Sequence, residues 1–155
     1  MNSFTEINDK IIESIKEIFT GMVMMDVEPA GEPLASLGRL TNSITGMIGL
    51  AGTHKGVLAV HFPAPVALAV TSNFLGMEVE SINEDVQDAV GEIANMLGGN
   101  LKTILSDRGK DIQLSLPSTI SGDEYNFTSQ ADVDQVILPF QSPAGLFYVE
   151  VELEQ

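Results

Sequence analysis

The chain of 155 residues carries 22 Asp and Glu against 7 Lys and Arg, a formal net charge of -15, and no cysteine. That balance argues against nucleic acid and anionic membranes, whose phosphates call for clustered Lys and Arg. The missing thiols remove disulfides, zinc–thiolate sites and cysteine nucleophiles together.

Hydrophobic residues make up 44% of the chain, too many for disorder and enough for a core without staples. The length fits one domain over 1–155. The opening MNSFTEINDK is polar and mixed in charge where a secretory leader would be basic. No apolar run approaches the ~18 residues that span a bilayer. The expectation is a soluble, cytoplasmic protein whose acidity serves solubility or suits a saline habitat.

A first helix is predicted over Asn8–Phe19, with Ile11, Ile12, Ile15, Ile18 and Phe19 at the 3.6-residue period. Gly21 and the Pro-containing stretch Glu28–Pro33 should break it into a loop. Two strands follow, Ser43–Ala51 and Gly56–Phe62, joined by a hairpin turn at Thr53–Gly56. Pro63–Leu75 reads as a short helix with prolines in its first turn and Gly76 as its stop. A long helix should start at Asn83, an N-cap with Glu84 and Asp85 in the positive first turn, and end near Asp107, with Gly109 as the cap. Three strands close the chain, about Asp111–Leu116, Gln135–Phe140 and Leu146–Glu154. Ser121–Asp132 reads as a polar connection and Gln141–Gly145 as a tight turn. In the last strand Phe147, Val149, Val151 and Leu153 alternate with Tyr148, Glu150, Glu152 and Glu154, which implies one wet face. Hairpins plus three helices, with no βαβ repeat, make the fold class α+β: a mostly antiparallel sheet packed against helices.

The long helix contains GEIANMLGGN, Gly91–Asn100. A glycine costs a helix interior roughly 1 kcal/mol relative to alanine, and three stand here around one carboxylate and one amide. At 100° per residue, Val86, Val90, Ile93, Leu97, Leu101 and Ile104 form the core stripe. Asp88, Glu92, Asn95, Gly99 and Lys102 form another roughly opposite, flanked by Gly91 and Gly98. A wet face normally carries long side chains. Glycine leaves this one low, so that another backbone can come close; a kink at Gly98-Gly99 is the other reading. Glu92 and Asn95, at i and i+3, are neighbours. An amide is neither a general base nor a good nucleophile, but it can orient a water. Such a face suits a reaction whose electrophile and metal come with the substrate, and phosphoryl hydrolysis makes that demand.

Asp88, Glu92, Asn95 and Pro117 together spell D-x3-E-x2-N-x21-P. That pattern resembles the signature of the CheC/CheX/FliY phosphatases of bacterial chemotaxis, and the order of elements is similar from about Ser43 to Phe140. The resemblance implies a CheC/CheX-like fold and hydrolysis of the aspartyl phosphate of a CheY-like response regulator. It implies that Glu92 engages the regulator's active-site lysine and that Asn95 orients the attacking water. Asp88 and Pro117 would shape the site, and Mg2+ would come with the regulator rather than with this chain. The first helix offers Glu13-Ser14-Ile15-Lys16 and Glu17-Ile18-Phe19-Thr20, neither of them E-x-x-N. One motif per chain is CheX-like, and CheX-like members are typically homodimers joined through their sheets. A non-catalytic module that binds or senses a receiver domain is the alternative, and Asn95 discriminates: a pure binder needs no amide beside the glutamate.

Other constellations are weaker. His54 and His61 lie in a turn and a strand, where ordinary structural roles outweigh a metal site. Gly46, Gly49 and Gly52 lack the lysine and following helix of a phosphate loop, and read as room for a helix on the strand or as relief of its twist. The methionines read mostly as core filler.

Overall fold

The structure, a computed structural model, describes residues 3–106, 111–128 and 133–154. Among these, three α-helices and seven strands follow in the order α1 (Ser3–Ile18), β1 (Glu28–Pro29), β2 (Arg39–Gly52), β3 (Gly56–Pro63), α2 (Ala64–Leu75), α3 (Glu84–Leu105), β4 (Ile112–Leu114), β5 (Ser118–Asn126), β6 (Val133–Ser142) and β7 (Gly145–Glu154). The sheet runs β1-β6-β7-β3-β2-β4, and β5 also pairs with β2. Every pairing is antiparallel, so the α+β class holds. No helix among the described residues is long and apolar enough to cross a membrane.

The helices cover one face of the sheet. Alternation along β2 turns Ile44, Gly46 and Ile48 toward them. Their partners across the ladder, Phe62, Val60 and Leu58 of β3, are equally buried. Ile11 and Ile15 of α1 meet Leu97 and Leu101 of α3 above Leu58 and Val149. Phe19, Phe140 and Phe147 stack at ring separations of 4.9 and 5.4 Å beneath the end of α1.

Local signals explain the helix ends. Asn83 caps α3, its Oδ1 accepting from Val86 N–H at 3.1 Å. Gly76 ends α2 at φ 69°. α3 runs as one continuous helix across Gly98-Gly99 to a C-cap at Ser106; Asp107 and Gly109, expected at its end, lie outside the described residues.

Several elements depart from expectation. α1 begins earlier than Asn8 and passes into a π-helical turn over Phe19–Val23, so Gly21 does not break the helix. Met24, left-handed at φ 55°, ends it, donating its N–H to the Phe19 carbonyl. The Glu28–Pro33 stretch contributes β1, which pairs with β6. β2 starts at Arg39, four residues before the expected strand, and continues through Asn42 at φ 44°. Ser118–Asn126, most of it read as a polar connection, is strand β5. Its backbone pairs with β2 from Arg39 to Met47, and an edge strand exposed on both faces needs no hydrophobic alternation to satisfy its ladder. The strand around 111–116 shortens to Ile112–Leu114, and the turn expected over Gln141–Gly145 tightens to Pro143-Ala144.

The outer face of the sheet is not wet as the alternation in β7 suggested. Glu150 and Glu152 are 1% and 7% exposed, and His61 and Thr45 are fully buried. His61 Nδ1 lies 2.7 Å from Thr45 Oγ1 and its Nε2 lies 3.0 Å from Glu150 Oε1. Gln135 donates to Glu150 Oε2 at 2.9 Å, and the Tyr125 hydroxyl lies 2.9 Å from Thr45 Oγ1. Burial pushes the Tyr125 phenol up from its ordinary value, against the opposing effect of that hydrogen bond. Phe127 sets its ring edge-on to His61, and Leu34 bridges to Ile137. Polar residues alternating on a strand can thus face one another across strands instead of water, because each finds a partner.

Candidate functional site on helix α3

α3 lies across β2 with its core stripe down, and two glycines set how closely it sits. A Cβ on Gly46 would stand 2.8 Å from Val90 Cγ1, and one on Gly98 would stand 2.8 Å from Ile48 Cγ2. The strand is therefore bare under Val90, and the helix is bare over Ile48. Gly46 makes the room for a helix that the sequence suggested. Gly98, read as part of the exposed floor, instead belongs to the seam: it is buried against the sheet. Gly91 is also buried, beneath Pro117, whose Cβ would lie 3.7 Å from a Cβ on Gly91. The helical wheel placed both at the margin of the exposed stripe. Seven residues apart, the two lie on one flank of the helix at successive levels, and that flank is covered by the loop before β5 at Gly91 and by the sheet at Gly98. Gly99 alone matches the bare floor, with open space where a side chain would stand.

The opposite stripe is as expected. Asp88 and Glu92 are exposed, and Asn95 and Lys102 are half-buried beside Gly99. Glu92 and Asn95 at i and i+3 have Cβ atoms about 5 to 6 Å apart and point the same way. α1 flanks this face on the far side from Pro117, tied to α3 by Asn100, whose Nδ2 donates to Ser14 Oγ at 2.6 Å. That tie has no sequence signal beyond an asparagine at the edge of the wheel.

The Pro117 side is fixed from the sheet. Ser115 N–H donates to the Gly49 carbonyl at 3.0 Å, and Gly49 N–H donates to Ser115 Oγ at 2.8 Å. Thr119 then brings its Cγ2 to within 3.9 Å of a Cβ on Gly91. The result is a carboxylate and an amide on a rigid helix face, with an open position beside them and a braced loop at the rim. It holds no nucleophile of its own, and can bind a cation through Glu92 and position a small polar molecule through Asn95.

Residues 44–141 match the family model described as chemotaxis phosphatase CheX. The chain is 30% identical over 122 residues to the CheY-P phosphatase CheX of Thermotoga maritima, covering 77% of this chain and 75% of that protein. A CheC-like superfamily protein from Shewanella sp. PV-4 superposes over 100% of both chains with a TM-score of 0.86 at 29% identity. The CheX of a CheX–CheY–BeF3–Mg2+ complex from Borrelia burgdorferi shares the fold, with a TM-score of 0.78 at 20% identity over 96% of this chain and 97% of that one. An α+β sheet protein of the CheC-like kind is thereby defined. Within that class, the chain belongs to the CheX family of chemotaxis phosphatases.

Proposed function

We propose that this chain hydrolyses the aspartyl phosphate of a phosphorylated CheY-like receiver domain, with α3 as the docking and catalytic face. The observation that carries this is the joint projection of Glu92 and Asn95 from one open helix face, in a chain of a phosphatase family whose Thermotoga member acts on CheY-P. Glu92 pairs with the receiver's active-site lysine and sets the register of docking. Asn95 enters beside the phosphoryl group and holds a water through its carbonyl oxygen in line with the bond to be broken. Water attacks phosphorus, the bond from phosphorus to the aspartate oxygen breaks, and inorganic phosphate leaves. Mg2+ travels with the receiver as part of the substrate. Asp88, one turn before Glu92, adds to the charge that meets the lysine. Pro117 over Gly91 and the open space at Gly99 shape the approach.

The same proposal includes a homodimer joined through the sheets. What supports it is β5, a nine-residue edge strand that pairs only with β2 among the described residues and so offers an open ladder to a second copy. Sedimentation of the free protein tests it.

The activity is tested by following decay of a phosphorylated receiver with and without the protein, beside Asn95→Ala. Loss of a positioning group commonly costs on the order of 10² to 10³ in rate, with binding largely kept because water orientation acts chiefly in the transition state. Near-full activity of Asn95→Ala would remove the water-positioning role. Binding without any hydrolysis by the wild type would make the chain a receiver-docking module.

A further inference from the structure

Leu116 is 87% exposed, the residue immediately before the proline that packs on α3. Isolated exposed leucines are common and need no explanation. This one differs in being held. Ser115 exchanges two hydrogen bonds with Gly49, and its hydroxyl also donates to the Leu116 carbonyl at 3.0 Å. Pro117 fixes its own φ and rests over Gly91, one residue from Glu92. Ser118 then enters the ladder opposite Met47. The backbone on both sides of Leu116 is therefore braced, and the side chain is left in water between two anchors. An apolar group presented from a fixed backbone loses little conformational freedom on binding, which is the condition under which a contact contributes to affinity.

We infer that Leu116 is a docking residue for the phosphorylated receiver, an apolar contact on the rim of the Glu92–Asn95 face that adds affinity and does not touch the chemistry. This rests on the function proposed above. The occupant follows from the anchor: Pro117 ties Leu116 to the flank of α3, so a protein seated on α3 closely enough to reach Asn95 comes down beside this loop. The open space at Gly99 lets it come that close. The contact is made alike in the bound and reacting states, so its removal acts on KM rather than kcat.

The test compares Leu116→Ser and Leu116→Met with the wild type on a phosphorylated receiver. In parallel, the affinity for a receiver activated with beryllofluoride and Mg2+ is measured by calorimetry, and self-association by sedimentation. Burying one leucine predicts a rise of roughly ten-fold in KM and Kd for Leu116→Ser. Its kcat should stay within about two-fold, Leu116→Met should lie near the wild type, and self-association should be unaltered. Unchanged KM and Kd in Leu116→Ser overturn the inference while leaving hydrolysis by the wild type intact. Weakened self-association with unchanged receiver affinity also overturns it, by assigning the residue to a contact between copies. A wild type that neither hydrolyses nor binds the receiver removes the proposed function, and this inference with it.

Discussion

His61 Nε2 lies 3.0 Å from Glu150 Oε1, and neither side chain reaches solvent. The pair sits on the sheet face away from α3, where it joins β3 to β7, while Gln135 and Thr45 extend the network to β6 and β2. Glu150→Ala leaves both the ring and the Gln135 amide without their acceptor. Breaking a buried pair from one side costs about 3 to 5 kcal/mol, so the urea midpoint should fall steeply. The folded fraction should still turn over receiver normally, since α3 lies on the other face. A loss below about 1 kcal/mol would show that water or a neighbour replaces the carboxylate.

Gly98 and Gly99 are adjacent and should answer substitution oppositely. Neither has a positive φ, so backbone strain is not at issue. Gly98→Ala drives a methyl into Ile48, where overpacking costs about 1 to 3 kcal/mol against a gain of ~1 kcal/mol in helix propensity. Gly99→Gln meets nothing and should hold or raise stability by up to ~1 kcal/mol. Its activity should nonetheless fall, because the new side chain stands between Asn95 and the receiver. Thermal melts and receiver dephosphorylation read the two effects separately; a stable and fully active Gly99→Gln would show that the bare position does not shape docking.

Glu92→Lys places a cation where the receiver's lysine should come. Juxtaposed like charges cost several kcal/mol, so affinity should drop on the order of a hundred-fold. Circular dichroism should be unchanged, because the residue is exposed. Wild-type affinity in this variant would take Glu92 out of the interface.

The Asp111 carboxyl is held below the ordinary carboxylate range, chiefly by hydrogen bonds from Thr53 and then Ser106. A depressed folded pKa stabilises the native state above the unfolded value, and that contribution disappears as pH falls through the folded value. Asp111→Asn should therefore lower stability slightly at pH 7, and the difference from wild type should vanish in denaturant titrations run in acid well below the ordinary carboxylate range. A difference that persists or grows in acid would contradict the linkage.

The parts of the fold readable from sequence are those whose side chains are sorted by water. α3 announced itself through its apolar stripe and Asn83, β3 through a β-rich apolar run, and β7 through alternation. Strand β5 did not, since an edge strand wet on both faces carries no pattern and is fixed by backbone pairing to β2. The buried face of Glu150 and Glu152 was misread for a related reason: alternation separates two faces but does not say whether the polar one meets water or His61. At the site, Asp88, Glu92, Asn95 and Gly99 fall where the helical period puts them. Gly91 and Gly98 do not, because a wheel has no knowledge of how far the sheet and the Pro117 loop climb the one flank that both glycines share. Leu116 continues the alternation of Ile112 and Leu114 and so read as the end of a strand; the strand stops at Leu114, and the side chain is left exposed because the chain has departed from the ladder before Pro117.

The two vacancies between α3 and β2 have an evolutionary consequence. Gly46 receives Val90, and Gly98 receives Ile48, so strand and helix each give up a methyl to the other. Adding a carbon at either glycine lifts the helix unless the residue opposite gives way, and lifting the helix also moves Glu92 and Asn95 relative to the braced Pro117 loop. Gly98 meets only the Ile48 side chain, so positions 48 and 98 should drift as matched exchanges of volume, whereas Gly46 also faces the Val90 carbonyl at 3.0 Å and should stay glycine whatever stands at 90. The height of the Glu92–Asn95 face is thus inherited through residues buried beneath it.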